Sequence, residues 1–318
     1  MQQTRGLQYF PIALFASVMG FAGFTIVLNK LETIYEINHI ASYIFLLIST
    51  LLFLLNISIL LYRLIRYKQE VKKDFNHPVK MNFFAAMSIS LLLISISYYD
   101  ISQNVSRVVW GIGAILQLSL TLLILSKLIK QTNFKIDHFT PAWFIPIVGN
   151  VVVPIVGVHF VNADILWMFY GVGVIFSIIY MTIFFNRVFF HSSIPEKLLP
   201  TIFILMAPPS IGVVSYVKLI EKVDSFVSIL YGIAFFIGLL LIVNLKMFIK
   251  IPFALSWWAF LFPSAAITIA TIQMYTATSH SYFQWIFNIQ FIGLIILIVY
   301  LTWKTLQLAI QRKLCIKE

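Results

Sequence analysis

Ten apolar stretches, each about as long as a bilayer is thick, constrain this chain more than any other feature in it. They fall near residues 9–28, 39–62, 79–98, 108–125, 141–159, 165–186, 200–217, 226–245, 252–275 and 282–303. A hydrocarbon core about 30 Å thick is crossed by roughly 20 residues of α-helix. A helix satisfies its own backbone there, which an irregular segment cannot do. Only 10% of the residues are charged, against about 25% in soluble domains, so a water-facing surface cannot be built. The expected fold is an all-α integral membrane protein, one transmembrane domain over residues 1–318. The first stretch lacks a small-residue cleavage site and reads as a true span, not a signal peptide.

Ten helices return both termini to the same side. Of the 22 Lys and Arg residues, all except Lys30, Arg107, Lys218 and Lys222 fall on that side, Arg5 and Lys317 included. Basic residues mark the cytoplasmic face, so both termini are expected in the cytoplasm of a cell bearing this protein in its inner or plasma membrane. The net charge of +11 therefore belongs to short loops beside lipid, and no nucleic-acid partner is expected.

Proline placement adds a second layer of order. Pro11, Pro78, Pro141, Pro200 and Pro252 stand at or just before odd-numbered spans, 67, 63, 59 and 52 residues apart. Proline suits a first helical turn, where its missing N–H has no partner to lose. The chain thus reads as five helical hairpins. Pro146, Pro154, Pro208, Pro209 and Pro263 fall inside odd spans, and even spans contain none. Interior prolines kink a helix and free carbonyls, which a membrane tolerates only where protein or a water-filled cavity receives them. Odd helices are therefore expected to line a central pore, with the Leu-, Ile- and Phe-rich even helices outside against lipid.

The chemistry of that path is defined by what it lacks. No Asp, Glu, Lys or Arg stands mid-span, whereas proton-coupled carriers usually load their proton on such a group. Neither acidic rings nor a carbonyl filter, the usual devices for cations, is visible. Anions fit better. Five helix N-termini at the cytoplasmic mouth, each worth roughly half a positive charge, would concentrate them, and an apolar bore would bind them weakly enough to conduct. Asn150, Ser210, Ser264 and Thr268 are the polar candidates to touch the ion; each could instead bond a neighbouring helix or a freed carbonyl. The six histidines are scattered, the single cysteine is Cys315, and no nucleophile arrangement or phosphate loop is present. No cofactor, metal or enzymatic activity is expected.

Four stretches carry a resemblance: His77-Pro78-Val79, the segment PAWFIPIVGN ending at Asn150, APPSIG from Ala207 to Gly212, and WWAFLFP from Trp257 to Pro263. With ten spans, they resemble the tellurite-resistance/dicarboxylate transporter family, which includes bacterial TehA and the slow-type anion channel of plant guard cells. The resemblance runs from about residue 7 to 303. It implies five hairpins with quasi-fivefold symmetry and a homotrimer with one pore per protomer. It also implies that a phenylalanine plugs the pore, and the matching residue is Phe262, directly before Pro263. Phe260 is about 200° away around a helix, so only one of the two can face the bore. Leu14 and Ile211 look like pore-facing positions that support the gate. The function implied is a gated channel for small monovalent anions such as chloride or nitrate. The alternative is a secondary carrier or exporter of dicarboxylates, sulfite or tellurite.

Overall fold

A computed structural model describes residues 6–131 and 134–316; Arg5 and Lys317, counted above among the basic residues, lie outside them. Among the described residues, nine helices are long and apolar enough to cross a membrane, and a tenth is shorter. They are α1 (Ile12–Ile34), α2 (Ile40–Arg66), α3 (Lys80–Tyr98), α4 (Gln103–Lys130), α5 (Pro141–Gly157), α6 (Ala163–Phe190), α7 (Glu196–Ile220), α8 (Ser225–Val243), α9 (Leu255–Thr278) and α10 (Ser281–Ile310). The short one is α5. Four of the even helices overrun their apolar stretches, α4, α6 and α10 at both ends and α2 at its C-terminal end, reaching 27 to 30 residues. At 1.5 Å per residue that is about 40–45 Å, enough to cover the headgroup layers as well.

The odd helices form a closed ring: α1 packs on α3, α3 on α5, α5 on α7, α7 on α9, and α9 back on α1. Each even helix packs on the odd helix before it. Burial follows this division. In the most apolar window of α1, α3, α7 and α9, 78–89% of positions are buried, against 22–39% in the even helices. All of α5 is buried. A helix apolar all round belongs in a protein interior or in lipid, and the ring takes the first while the outer helices take the second.

Four of the inner prolines stand where an odd helix changes type. Every odd helix opens as a 3-10 helix and then becomes α, the change falling after Leu14, Phe84, Phe144, Met206 and Phe260. Pro146, Pro208, Pro209 and Pro263 stand within the first three positions of the new α segment, and Pro154 opens the last turn of α5. The first turn of an α-helix has N–H groups without intrahelical partners. Here, however, the preceding 3-10 turn supplies acceptors, as when the Leu261 N–H donates to the Trp258 carbonyl, so each of these prolines leaves a carbonyl short of a donor at the junction of two helix types. Pro200 lies inside the 3-10 part of α7, which starts four residues earlier than its apolar stretch.

A side-chain clamp recurs at the base of three hairpins. Near the end of α2, Arg63 Nη1 donates to the Phe10 carbonyl at 2.7 Å, one residue before Pro11. In α4, Lys127 Nζ donates to the Phe75 carbonyl at 2.6 Å, three residues before Pro78. In α6, Arg187 donates to the Phe139 carbonyl, two residues before Pro141. These three even helices thus return to fasten the segments that lead into odd helices. These cations count toward the orientation signal, and they also have this structural use.

Candidate functional site

Where the 3-10 segments meet the α segments, the ring encloses a cavity of about 20 Å³. All five inner helices line it: Ala16 and Met19 from α1, Phe83 from α3, Ile145 and Val148 from α5, Ile204 from α7, and Trp258, Ala259, Phe262 and Pro263 from α9. Every lining residue is apolar or aromatic. The Trp258 indole N–H is turned away to Thr305 Oγ1, at 3.0 Å. Such a space has room for about one water molecule and no group to hold one. An ion placed there would lose its hydration and gain nothing in return.

Phe262 is 4% exposed. Its ring reaches across to α1, where Cδ2 lies 3.4 Å from the position a Cβ on Gly23 would take. Phe260 goes the other way, with ring centroids 4.2 Å from Phe203 and 5.2 Å from Trp257. Of the residues singled out from the sequence, Phe262 and Pro263 meet at the cavity. Leu14 and Ile211 are buried but do not line it; the Leu14 carbonyl accepts from Asn56 Nδ2 at 3.2 Å. Ser210 and Thr268 turn their hydroxyls back onto the Met206 and Ser264 carbonyls of their own helices. Ser264 itself is half-buried and away from the cavity.

Asn150 faces the outer layer. Its Nδ2 donates to the Pro146 carbonyl at 2.9 Å and to Thr121 Oγ1 at 3.0 Å. The same carbonyl also receives Gln117 Nε2 at 2.7 Å and Thr121 Oγ1 at 2.8 Å, and Ser88 Oγ holds Gln117 Oε1 at 2.6 Å. Three helices are therefore joined at the proline-rich turn of α5. Gly149 makes this possible, because a Cβ there would lie 2.3 Å from Gln117 Oε1. Gly149→Ala is expected to push Gln117 out of the network and cost about 1–3 kcal/mol, the range for overpacking or an unpaired buried polar group. Thermal unfolding in detergent checks this, and Gln117→Ala in the Gly149→Ala background should recover part of the loss.

A second, larger cavity of about 300 Å³ lies toward the opposite end of the ring, among Ile26, Asn29, Lys30, Ser97, Asp100, His159, Lys218 and their neighbours. On α1, Met19 of the first cavity and Ile26 of the second stand seven positions apart, about 10 Å along the axis. The intervening positions, residues 20–25, are all buried. The two cavities are separated by roughly two turns of packed helix.

The apolar lining carried little sequence signal. Met19, Phe83, Ile145, Val148 and Ile204 look like any core residue; their only mark is closeness to a helix-type junction that hydropathy does not show.

Comparison with known proteins finds transporters and anion channels that match most of this chain. The chain is 24% identical to an uncharacterised transporter of Methanocaldococcus jannaschii, over 85% of this chain and 86% of that one. It is 26% identical to the S-type anion channel SLAH3 of Arabidopsis thaliana, over 86% of this chain and 44% of the plant protein. A tellurite resistance protein TehA homolog of Haemophilus influenzae is 24% identical, over 90% and 89%. The profile of the voltage-dependent anion channel family, SLAC1, matches residues 9–306. This multi-pass membrane protein belongs to that family.

Proposed function

We propose that the protein is a gated channel for small monovalent anions such as chloride or nitrate, with Phe262 as the gate. The observation that carries this reading is the small apolar cavity, lined from all five inner helices and walled in part by Phe262, whose ring packs toward Gly23 of α1. With the ring in place an ion has neither room nor polar partners. With the ring displaced, a bore of apolar side chains binds an anion weakly, which fast conduction requires. Helix N-termini at the basic end supply attraction without a fixed charge in the bore. The termini are cytoplasmic, the membrane is the inner or plasma membrane, and the functional unit is a homotrimer of quasi-fivefold protomers with one pore each. The molecule is a conduit, not an enzyme.

The competing reading is a carrier of dicarboxylates, sulfite or tellurite. Flux from proteoliposomes, measured against anion concentration, separates the two. A channel gives chloride and nitrate flux that keeps rising with concentration, most clearly with the gate truncated. Saturating uptake of malate or sulfite, with no chloride or nitrate conductance, would replace the channel by the carrier.

A further inference from the structure

The end of the ring opposite the basic loops is the wrong place electrostatically for an anion. The inner helices present their C-terminal ends there, each carrying roughly half a negative charge. The sequence puts only four cations on that side, yet two of them, Lys30 of α1 and Lys218 of α7, line the same 300 Å³ cavity. These two helices are not neighbours in the ring, so the two lysines approach the cavity from separate walls. Asn29 adds a neutral amide. Asp100 is the one carboxylate in the lining, and among the described residues no ion pair within 4.0 Å joins it to either lysine. Two ammonium groups against one carboxylate leave the cavity positive, and its volume admits an ion with several of its waters.

We propose that this cavity is an anion-capture site, in which Lys30 and Lys218 hold a partly hydrated monovalent anion at the mouth opposite the basic loops. The passage of that anion onward rests on the channel reading; its capture does not. His159 tunes the site. It stacks on Tyr99 with ring centroids 4.4 Å apart, and Lys30, Lys218 and Asp100 share its cavity. Burial first, and then the Lys218 charge, hold its imidazole below the ordinary range, with Asp100 pulling the other way. The neutral imidazole is thereby favoured. Acidification below its ordinary value of about 6.5 adds a third positive charge, so capture strengthens as pH on this side falls.

Occupancy is read without any ion flow. Purified wild-type protein is treated with an amine-reactive ester at constant ionic strength in nitrate or in gluconate, and labelling of each lysine is followed by peptide mass spectrometry. Nitrate should slow labelling of Lys30 and Lys218 several-fold and leave exposed Lys222 unchanged; equal labelling of all three in both salts overturns the site. Function is read in the Phe262→Ala background. Adding Lys30→Gln with Lys218→Gln should reduce current carried by anions from this side by roughly tenfold, a typical size for focused-charge steering. The loss should appear at low anion concentration and fade at high concentration, with current from the other side retained. His159→Gln should remove the rise in acid. Unchanged low-concentration current in the double lysine variant refutes capture. If Phe262→Ala itself does not conduct, the gate reading fails while the labelling still decides the site.

Discussion

Phe262→Ala is expected to raise the chloride and nitrate conductance of the reconstituted protein by roughly thirtyfold or more. The estimate follows from what the ring denies the ion. Unmet hydrogen bonding in an apolar space costs on the order of 2 kcal/mol or more per group. Truncating the ring opens the 20 Å³ cavity toward α1, where the ring now lies over Gly23. Returning a single water contact to the ion would lower the barrier by about 2 kcal/mol, which is roughly thirtyfold in rate. Phe262→Leu keeps an apolar plug of smaller reach and should fall between the two. Phe260→Ala is the control, because that ring packs on Phe203 and Trp257 away from the cavity, and conductance should not change. Truncating a buried phenylalanine typically costs 3–5 kcal/mol, so size-exclusion profiles must first establish that each variant is folded. A folded Phe262→Ala protein that conducts no better than wild type would remove Phe262 as the gate.

The division into inner and outer helices was legible in the sequence because two signals converged on it. Lys and Arg partition across the membrane for a reason independent of packing, and prolines gather where a helix end tolerates them. Together they placed α1, α3, α5, α7 and α9 correctly without any tertiary information. Helix type was not legible: hydropathy reads length and apolarity, and a 3-10 turn such as Leu255–Phe260 has the same composition as an α-turn. Pro146 and Pro263 were therefore legible only as interior prolines, and their place in the first turn of an α segment was not visible. At the cavity, Phe262 was distinguished only by a local motif, while Met19 and Ile204 had none. Asn150 was open to two readings from the sequence, and its partners Thr121 and the Pro146 carbonyl lie on the side of the outer helix. The lysine-lined cavity was half visible. Lys30 and Lys218 stood out as two of four cations on their side, but Asp100 and His159 come from other elements, and only folding brings the four together.

The clamp at Arg63 carries the largest expected stability effect. Its side chain is 1% exposed and its guanidinium makes two bonds in different directions, Nη1 to the Phe10 carbonyl at 2.7 Å and Nη2 to Asp74 Oδ2 at 2.6 Å. One side chain thereby joins the end of α2, the start of α1 and the short helix Lys68–Asn76 that leads toward α3. Arg63→Met keeps the apolar stem and removes the fork. The Phe10 carbonyl then loses this donor, and among the described residues Asp74 retains its ion pair with Lys80 Nζ, 3.6 Å away. The Asp74 side chain is 18% exposed, so the pair is half-buried; hydrogen bonds to a charged group are worth about 1.5–3 kcal/mol each, and losing both is a large share of the roughly 5–15 kcal/mol that holds a typical domain folded. The variant should therefore unfold at a much lower temperature in detergent and accumulate poorly in membranes. Arg63→Lys retains the charge but cannot reach both acceptors with a planar fork, and should lie between. The cycle with Asp74→Asn separates charge from packing. If most of the loss comes from a stranded carboxylate, the double variant recovers part of it; if the Phe10 carbonyl dominates, Asp74→Asn adds nothing back. An Arg63→Met protein that unfolds at the wild-type temperature would mean that the bond to Phe10 does not fasten the hairpin. The 3-10 opening of α1, which leads directly to Ala16 and Met19 in the cavity wall, would then be held by helix packing alone.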